Sequence, residues 1–237
     1  SALLQNNIVG QLSSDHVVVG VPTGKAYSRT FNIPLTQEKS LASAVEVEVE
    51  QYIPIPISSL YVDYEIISRT KESATVVLSA VPKAIVDTCV NAARQAGLNP
   101  VMVEPSINAV ARVIKATEEG NLSTLTVDIG PASTDIAVLE GGAIRVSGGL
   151  GIGGNTFTLD IAKKLNVALE NAHQLKVLNG LNPGPRQSKI EAALKPSLNR
   201  IATEIRKVIR YYNERLNEEH KIEQVLIVGG GSNVPGI

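Results

Sequence analysis

The sequence has no tryptophan, one methionine and one cysteine, and aromatic residues make up only 3% of it. The single cysteine, Cys89, excludes an intramolecular disulfide and is typical of proteins in reducing compartments. It lies within a helical pattern at 83–97, where a buried structural thiol is a simpler interpretation than a nucleophile. The three histidines are far apart in the sequence and match no metal-ligand spacing. These scarcities argue against a disulfide-stabilised secreted domain and against a histidine-based metal centre.

Two further absences concern membranes and nucleic acids. No apolar run approaches the ~18 residues that span a bilayer, and no signal peptide opens the sequence. The formal net charge of the 237 residues is -1, whereas nucleic-acid binding favours a basic surface. With 43% hydrophobic and 19% charged residues, the composition is that of a globular protein. We therefore expect a soluble cytoplasmic protein that has no nucleic-acid partner.

The predicted segments of the first half alternate between strands and helices, which is typical of an α/β fold. Strands are predicted at 16–21, 29–33, 61–68, 75–81 and 101–103, and helices at 37–52, 83–96 and 105–116. The segment 37–52 also has strand features, because Val45, Val47 and Val49 alternate with glutamates. A helix is favoured there, since Thr36 can cap it and prolines follow it.

The second half continues the same alternation. Strands are predicted at 122–128, 135–139, 143–147 and 224–228, and helices at 156–165, 168–178 and 188–217. The last helix has apolar residues at every third or fourth position, and Pro196 within it should bend or divide it. Because the sequence ends on a glycine turn directly after its last strand, we expect a fragment.

Three glycine-containing turns follow predicted strands, where backbone N–H groups can face an anion. In the first, VDIGPASTDIAV, Asp128 ends a strand, and Gly130 allows the chain to approach a phosphate closely. Ser133 and Thr134 offer hydroxyl groups. A carboxylate beside a phosphate can hold Mg²⁺ through water or orient an attacking water. An ordinary β-hairpin is the alternative interpretation.

The second turn, GGLGIGGNTFTLD (148–160), is a glycine-rich loop that opens a helix. A helix N-terminus carries free N–H donors and a partial positive charge, which suit a phosphate. The alternative is a flexible loop with an ordinary N-cap. Gly149, Gly151 and Gly154 also match the dinucleotide-binding pattern G-x-G-x-x-G, but a second helix follows where that motif requires a parallel strand.

The third turn, QVLIVGGGSNVPGI (224–237), is a strand that runs into three glycines. Such a turn lets the backbone pack flat against a ring such as adenine, although a plain C-terminal glycine turn is the alternative.

A fourth segment, GVPTGKA (20–26), suggests a P-loop. Its two glycines are one residue too close, and Ala26 replaces the serine or threonine that would meet Mg²⁺.

The order of these turns resembles the second half of actin-like ATPases: an aspartate–glycine turn, a glycine–glycine helix start, a long helix, and a strand that ends in GGG. The segment AGLNPVMVEPSINAVARVI (96–114) is similar to their first domain, with Glu104 and Ser106 at the start of its helix. A helix that ends in QYIPIP, together with the segment 127–167, resembles the PilM family, the cytoplasmic platform proteins of bacterial type IV pili.

The resemblance implies an α/β actin-like ATPase fold of ribonuclease H-like halves with an FtsA-like insert subdomain. It implies that 1–24 and 81–125 form the remainder of the first actin-like domain, 25–80 the insert and 126–237 the second domain. The superfamily has a first aspartate–glycine loop that is not visible in this sequence, so we expect truncation at the start of the chain. The glycine turn that ends the sequence leads us to expect truncation at the other end as well.

The resemblance also implies ATP and Mg²⁺ as cofactors, with Asp128 orienting Mg²⁺ or water. The residues implied to contact phosphates are Gly130, Ser133, Thr134, Gly153, Gly154 and Asn155. Glu204 and Lys207 resemble the adenosine-contacting pair of heat-shock chaperone ATPases, although a surface ion pair explains them equally well. The residues implied to flank the base are Gly230, Gly231 and Ser232. ATP hydrolysis is not predicted either way.

The partner that the resemblance implies is the short cytoplasmic N-terminal tail of PilN, a membrane protein, together with other pilus assembly components. It places the protein at the periphery of the inner membrane, held there only through partners. The residues that would shape the partner surface are Tyr52, Ile53, Ile55 and Ile57, unless they only close the core of the insert. The rival functions are an FtsA-like cell-division ATPase, a nucleotide-independent scaffold, a small-molecule kinase and an NAD-dependent oxidoreductase.

Overall fold

A computed structural model describes residues 14–34, 41–118, 122–215 and 221–237. Within these ranges the chain forms two compact units that divide after Asn108. The division falls inside helix α3 (Ser106–Thr117), whereas the sequence predicted a boundary at 125–126. Helix α3 therefore contributes residues to both units.

In its described residues, the first unit contains two sheets and two complete helices. Its secondary structure consists of β1 (His16–Val21), β2 (Tyr27–Pro34), α1 (Leu41–Tyr52), β3 (Leu60–Arg69), β4 (Ser73–Pro82), α2 (Lys83–Gln95) and β5 (Asn99–Pro105). Strands β1 and β5 pair in parallel, while the other three form an antiparallel sheet in the order β2-β4-β3. Each strand predicted in this half of the sequence is present, with bounds extended by one to two residues at most ends.

Helix α1 resolves the conflict between helical and strand spacing. Val45 and Val49, four residues apart, are buried together with Ile53, whereas Val47 is 62% exposed. Residues four apart share one face of a helix, while alternate residues would share one face of a strand. The predicted helix is therefore confirmed over 41–52, and its first residues and the proposed cap at Thr36 lie outside the described ranges.

The P-loop-like segment near the start of the chain has a structural role instead. Thr23 begins a short 3-10 turn (Thr23–Lys25), and its side chain is only 3% exposed. Its Oγ1 accepts a hydrogen bond from the N–H of Ile107 at 3.2 Å and lies 3.2 Å from the Oγ of Ser106. The hydroxyl thus accepts a hydrogen bond from the first turn of α3, where backbone N–H groups have no partner within the helix.

The second unit is built on a four-stranded sheet in the order β8-β7-β6-β9. Its secondary structure consists of β6 (Thr124–Ile129), β7 (Thr134–Glu140), β8 (Ala143–Leu150), α4 (Gly154–Leu165), α5 (Leu169–Leu178), α6 (Gln187–Arg215) and β9 (Gln224–Val228). Strand β6 pairs antiparallel with β7 and parallel with β9. Apolar side chains of β6 and β7 form the core together with residues of α4 and α6, including Phe157, Ile161 and Leu194.

The order of elements after β8 removes the basis for the dinucleotide-binding alternative. Helix α4 is followed by α5 and α6, and the described segment 166–215 contains no strand. A dinucleotide-binding unit requires a second parallel strand directly after its first helix. The glycine pattern at 149–154 therefore belongs to a different type of turn.

The longest helix, α6, runs through Pro196 over 29 residues. Of the two expected effects of Pro196, a division of the helix does not occur, and a bend stays a prediction. A proline in a helix interior removes one backbone hydrogen bond, but packing on both sides can offset that loss. Leu194 and Ile201, which flank the proline, are both buried in the core of the unit. In addition, the neighbouring Ser197 donates from Oγ to Oδ2 of Asp160 on α4 at 2.5 Å.

None of the helices in the described ranges is both long enough and apolar enough to cross a membrane.

The buried hydroxyl of Tyr212 provides a test of how α6 is held on the sheet. Tyr212 is 0% exposed, and its hydroxyl donates to a carboxylate oxygen of Glu140 at the end of β7. Tyr212→Phe should lower the free energy of unfolding by about 1–2 kcal/mol, because a hydrogen bond to a charged group is lost. Urea unfolding followed by circular dichroism measures the change. The same substitution at exposed Tyr64 is the control, and equal stability of the two variants would contradict the assignment.

Candidate functional site

The first predicted phosphate turn connects β6 to β7 at the end of the central strand pair. Asp128 is the penultimate residue of β6, and the N–H of Gly130 donates to the carbonyl of Ser133 at 2.9 Å, which closes the turn. Ala132 is exposed and Ser133 is half-buried. Within the described ranges, the N–H groups of Ala132 and Ser133 donate to no protein atom. The turn therefore presents two open donors close to a carboxylate.

The carboxylate of Asp128 lies in an environment that disfavours its negative charge. Burial raises the pKa of Asp128, and the negative charge of Asp135 raises this pKa further. The two residues are directly opposite in the β6–β7 ladder, and Asp135 is only 4% exposed. A cation beside Asp128 would relieve both effects, since an opposite charge favours an ionised carboxyl group.

The second predicted turn, at the start of α4, is hydrogen-bonded to the first. The N–H of Gly154 donates to the carbonyl of Gly130 at 2.9 Å, and the N–H of Asn155 donates to the carbonyl of Pro131 at 2.8 Å. The N–H of Gly153 faces Oγ1 of Thr156 at 3.4 Å. The N–H groups of Gly154 and Asn155 are thus already occupied, so a phosphate contact by either amide would require its hydrogen bond to open. That contact stays a prediction.

Glycine at position 153 is required by the approach of the two turns. A Cβ atom there would meet the carbonyl oxygen of Gly130 and would lie 2.9 Å from the carbonyl carbon of Pro131.

Thr134, which the sequence predicted to contact phosphate, links the first turn to the segment that precedes α4. It is 0% exposed, and its Oγ1 donates to the carbonyl of Ile152 at 2.8 Å. The structure therefore gives the Thr134 hydroxyl a position inside the protein.

The third predicted turn, after β9, packs on the end of β6. Gly229 has φ +83°, and a Cβ there would meet Oδ1 of Asp128 and approach the carbonyl oxygen of Ile129 to 2.7 Å. A Cβ at Gly231 would meet Cγ2 of Ile129. Gly230 has open space, with no atom within 4 Å of such a Cβ. Ser232 donates from Oγ to the carbonyl of Gly229 at 2.7 Å, which tightens the turn.

The remaining predicted nucleotide contacts, Glu204 and Lys207, form an ion pair on α6. Lys207 Nζ lies 3.3 Å from Oε1 of Glu204, and the lysine side chain is 65% exposed. Oε1 of Glu204 also lies 3.2 Å from the position of a Cβ on Gly148, so the pair sits beside strand β8. In the described part of the chain, no hydrogen bond joins the pair to the three turns. The adenosine role stays a prediction.

Two features of the site are absent from the sequence-based prediction. The open N–H of Ala132 is a backbone property, which an alanine does not signal. Lys176 on α5 is only 7% exposed, and its Nζ donates at 2.9 Å both to the carbonyl of Gly154 and to Oγ1 of Thr158. Burial lowers the pKa of Lys176. Its ammonium group places a positive charge beside the start of α4, yet in sequence it is one of many lysines.

The residues predicted to form the partner surface are divided between the core and the exterior of the first unit. Ile53 is 7% exposed and lies in the core formed with α1. Ile55 and Ile57 are partly buried against the same core, while Tyr52 is 46% exposed. Ile53 therefore has the structural role that the sequence left open as an alternative, and Tyr52 is the most accessible of the four.

The first turn alone, through the open N–H groups of Ala132 and Ser133, can donate to an anion such as a phosphate without breaking a hydrogen bond. In the third turn, Gly230 has open space around it, whereas Gly229 packs against Asp128. No group of three or more histidine, cysteine, aspartate or glutamate side chains in the described ranges could hold a metal ion. Mg²⁺ bound with substrate phosphates usually keeps several waters and takes only one or two carboxylates from the protein.

A family model described as type IV pilus assembly protein PilM matches residues 6–237. The chain belongs to the PilM family. The PilM chain of a solved PilM–PilN type IV pilus biogenesis complex is 27% identical, with a TM-score of 0.76. The match covers 93% of this chain and 64% of that chain.

Further relatives of this PilM family member are actin-like. MreB5 of Spiroplasma citri bound to AMPPNP is 19% identical with a TM-score of 0.54, over 65% of this chain and 55% of that chain, which shows the fold alone. The cell division protein FtsA of Neisseria meningitidis is 35% identical over 81 residues, 34% of this chain and 19% of its own length. FtsA of Borreliella burgdorferi is 28% identical over 63% of this chain and 40% of its own length. The chain thus spans less than two thirds of each relative, and the predicted actin-like α/β fold is confirmed.

The raised pKa of Asp128 leads to a pH-dependent prediction. An acid with a raised pKa in the folded state stabilises the fold at low pH, where it is protonated, and this contribution is lost as the pH rises through its folded pKa. Asp128→Asn should therefore gain stability relative to the native protein as the pH rises from about 3 to about 7. Thermal unfolding midpoints across this range measure the difference. Exposed Glu191→Gln serves as the control, and a difference for Asp128→Asn that does not vary with pH would refute the expectation.

Proposed function

We propose that this PilM family protein binds ATP with Mg²⁺ at the three turns of its second unit. The observation that carries the proposal is the turn 130–133, which presents two open N–H groups beside a carboxylate that would benefit from a cation. Phosphate oxygens accept from the N–H groups of Ala132 and Ser133 and from the Ser133 hydroxyl. Asp128 orients Mg²⁺ through its water ligands, because a hard cation prefers oxygen ligands and keeps several waters.

The turns at the start of α4 and after β9 have separate roles in this proposal. Gly154 and Asn155 hold the phosphate turn in position through their hydrogen bonds to residues 130 and 131, and Gly153 permits this close approach. All three make further contact with phosphate on ligand binding. Gly230, which is open to approach, lies with Gly231 and Ser232 against the base. Glu204 and Lys207 bind the ribose or adenine. We further propose that 126–237 corresponds to an actin-like second domain and 25–80 to the insert subdomain.

Calorimetry with Mg-ATP tests the nucleotide site. Ser133→Ala should raise the Kd about tenfold, because a hydrogen bond to a charged phosphate is lost, whereas Asp128→Ala should remove the dependence of affinity on Mg²⁺. Thr134→Ser keeps the buried hydroxyl and should bind like the native protein. The comparison is made both for the 237-residue chain and for one extended to the full length of the relatives.

A nucleotide-independent scaffold is the second candidate, and one observation favours it. The N–H groups at the start of α4, which would be expected to meet a phosphate, are taken by carbonyls of the neighbouring turn. Absence of Mg-ATP binding by both the shorter and the longer chain, with partner binding retained, would establish the scaffold instead.

The partner that we propose is the N-terminal cytoplasmic tail of PilN, bound beside the insert subdomain of the first unit. A related PilM has been solved in complex with PilN, and Tyr52 remains accessible at the end of α1. Binding to a membrane protein in this way would bring the protein to the inner membrane from the cytoplasm. Other pilus assembly components would then meet it there.

Fluorescence polarisation with a labelled PilN N-terminal peptide tests this partner. Tyr52→Glu should weaken binding at least about tenfold, since a charged side chain replaces a half-exposed aromatic one at the expected contact. Tyr64→Glu, at an exposed position of β3, is the matched control and should bind normally. Equal affinities of the two variants would place the peptide elsewhere or exclude it.

A further inference from the structure

A groove on the second unit lies apart from the turns discussed above. It is bounded by the end of α4, by α5 and by the start of α6, and it has a volume of about 720 Å³. Its apolar surface comes from side chains that include Leu165, Val167 and Leu175, all partly buried. Leu178, also in the lining, is 74% exposed. An exposed leucine at the edge of an apolar groove is an accessible contact for a ligand.

The charged part of the lining is of one sign. Lys164, Arg186 and Lys189 line the groove, and its lining includes no carboxylate. In the described part of the chain, none of these three side chains forms an ion pair. The groove therefore combines an apolar floor with three cations that have no anionic partner among the described residues.

Two of these cations occupy unfavourable positions on their helix. Arg186 directly precedes α6, and Lys189 lies in its first turn, where no acidic residue is present. The N-terminus of a helix carries a partial positive charge, so cations are disfavoured and anions are favoured there. Lys164, in contrast, lies in the last turn of α4, where a cation is favourable. An anion in the groove would compensate Arg186 and Lys189 together.

Helix α5 exposes apolar side chains, one of which lines the groove. Leu169, Val177 and Leu178 are 54%, 49% and 74% exposed, so the helix displays apolar side chains outside the core that it covers with Ala172. A surface helix of a globular protein usually confines apolar residues to one stripe. Of these three side chains, Leu178 lines the groove, where it adds an exposed apolar contact to the partly buried floor.

We propose that this groove binds an acidic peptide segment of a partner protein that carries an apolar anchor residue. Carboxylates of the segment pair with Lys164, Arg186 and Lys189, and the anchor packs among Leu165, Leu175 and Leu178. Charge complementarity selects an acidic ligand, and the apolar floor selects a peptide over a free phosphate group, which has no apolar part to bury. The groove lies wholly within the second unit and does not depend on the nucleotide site.

The test uses a short fluorescent peptide in which glutamates flank two leucines, with anisotropy as the measurement of binding to the 237-residue chain. Lys164→Glu combined with Lys189→Glu should weaken peptide binding at least about tenfold and increase the dissociation rate, because the new carboxylates repel the glutamates of the peptide. Leu178→Ser, which changes a mostly exposed side chain and preserves folding, should weaken it several-fold. Peptides with lysine in place of glutamate, or serine in place of leucine, should not bind measurably. Arg206→Glu combined with Arg210→Glu, an equal charge change at two exposed positions of α6, should have no effect.

Three results would overturn the proposal. The first is equal affinity of the native chain and both groove variants for the peptide. The second is competition by inorganic phosphate at the same residues, seen as matching amide shifts in NMR spectra, without binding of the peptide. The third is a change in sedimentation of the peptide-free chain on introducing Lys164→Glu and Lys189→Glu, which would assign the groove to self-association.

Discussion

The candidate site depends on two backbone hydrogen bonds between the start of α4 and the turn after β6. The amides of Gly154 and Asn155 donate to the carbonyls of Gly130 and Pro131, at 2.9 and 2.8 Å. They fix a turn that has only one internal hydrogen bond of its own, and Gly153 permits the contact because any Cβ there would strike the Gly130 carbonyl. The open N–H groups at 132 and 133 are preorganised as a result, which lowers the entropic cost of binding an anion.

The sheet beneath the turns determines which groups can meet. Because β6 lies between β7 and β9, the start of β7 and the end of β9 both lie beside Asp128. Asp135 faces Asp128 from one side, while Gly229 approaches it from the other. A carboxylate enclosed in this way loses hydration and meets a second negative charge, so the fold creates a position that favours a cation without assembling a metal cage.

The sequence predicted the strands, the helices and the three turns, since periodicity and glycine placement are local properties. Local properties also explain where the structure differs from these expectations. Pro196 suggests a break, but burial of Leu194 and Ile201 on either side keeps the helix continuous. The hydroxyl of Thr134 suggests a ligand contact in sequence, yet the pleat of β7 directs it to the carbonyl of Ile152. Lys176 could not be identified, because its proximity to Gly154 arises only when α5 packs on α4.

The occupied amides at the start of α4 determine how a nucleotide would act on this protein. If phosphate binding left those hydrogen bonds in place, ATP would be held by the first turn alone, and the arrangement of α4 would be the same with and without it. If a phosphate competed for the amides of Gly154 and Asn155, two backbone hydrogen bonds would open, and α4 would move relative to the sheet. Net energies of about 1 kcal/mol for each such bond are small beside those of charge-assisted contacts to a phosphate. The second course is therefore energetically accessible, and it would give a nucleotide a means of changing the shape of the second unit, because α5 is tied to α4 through Lys176.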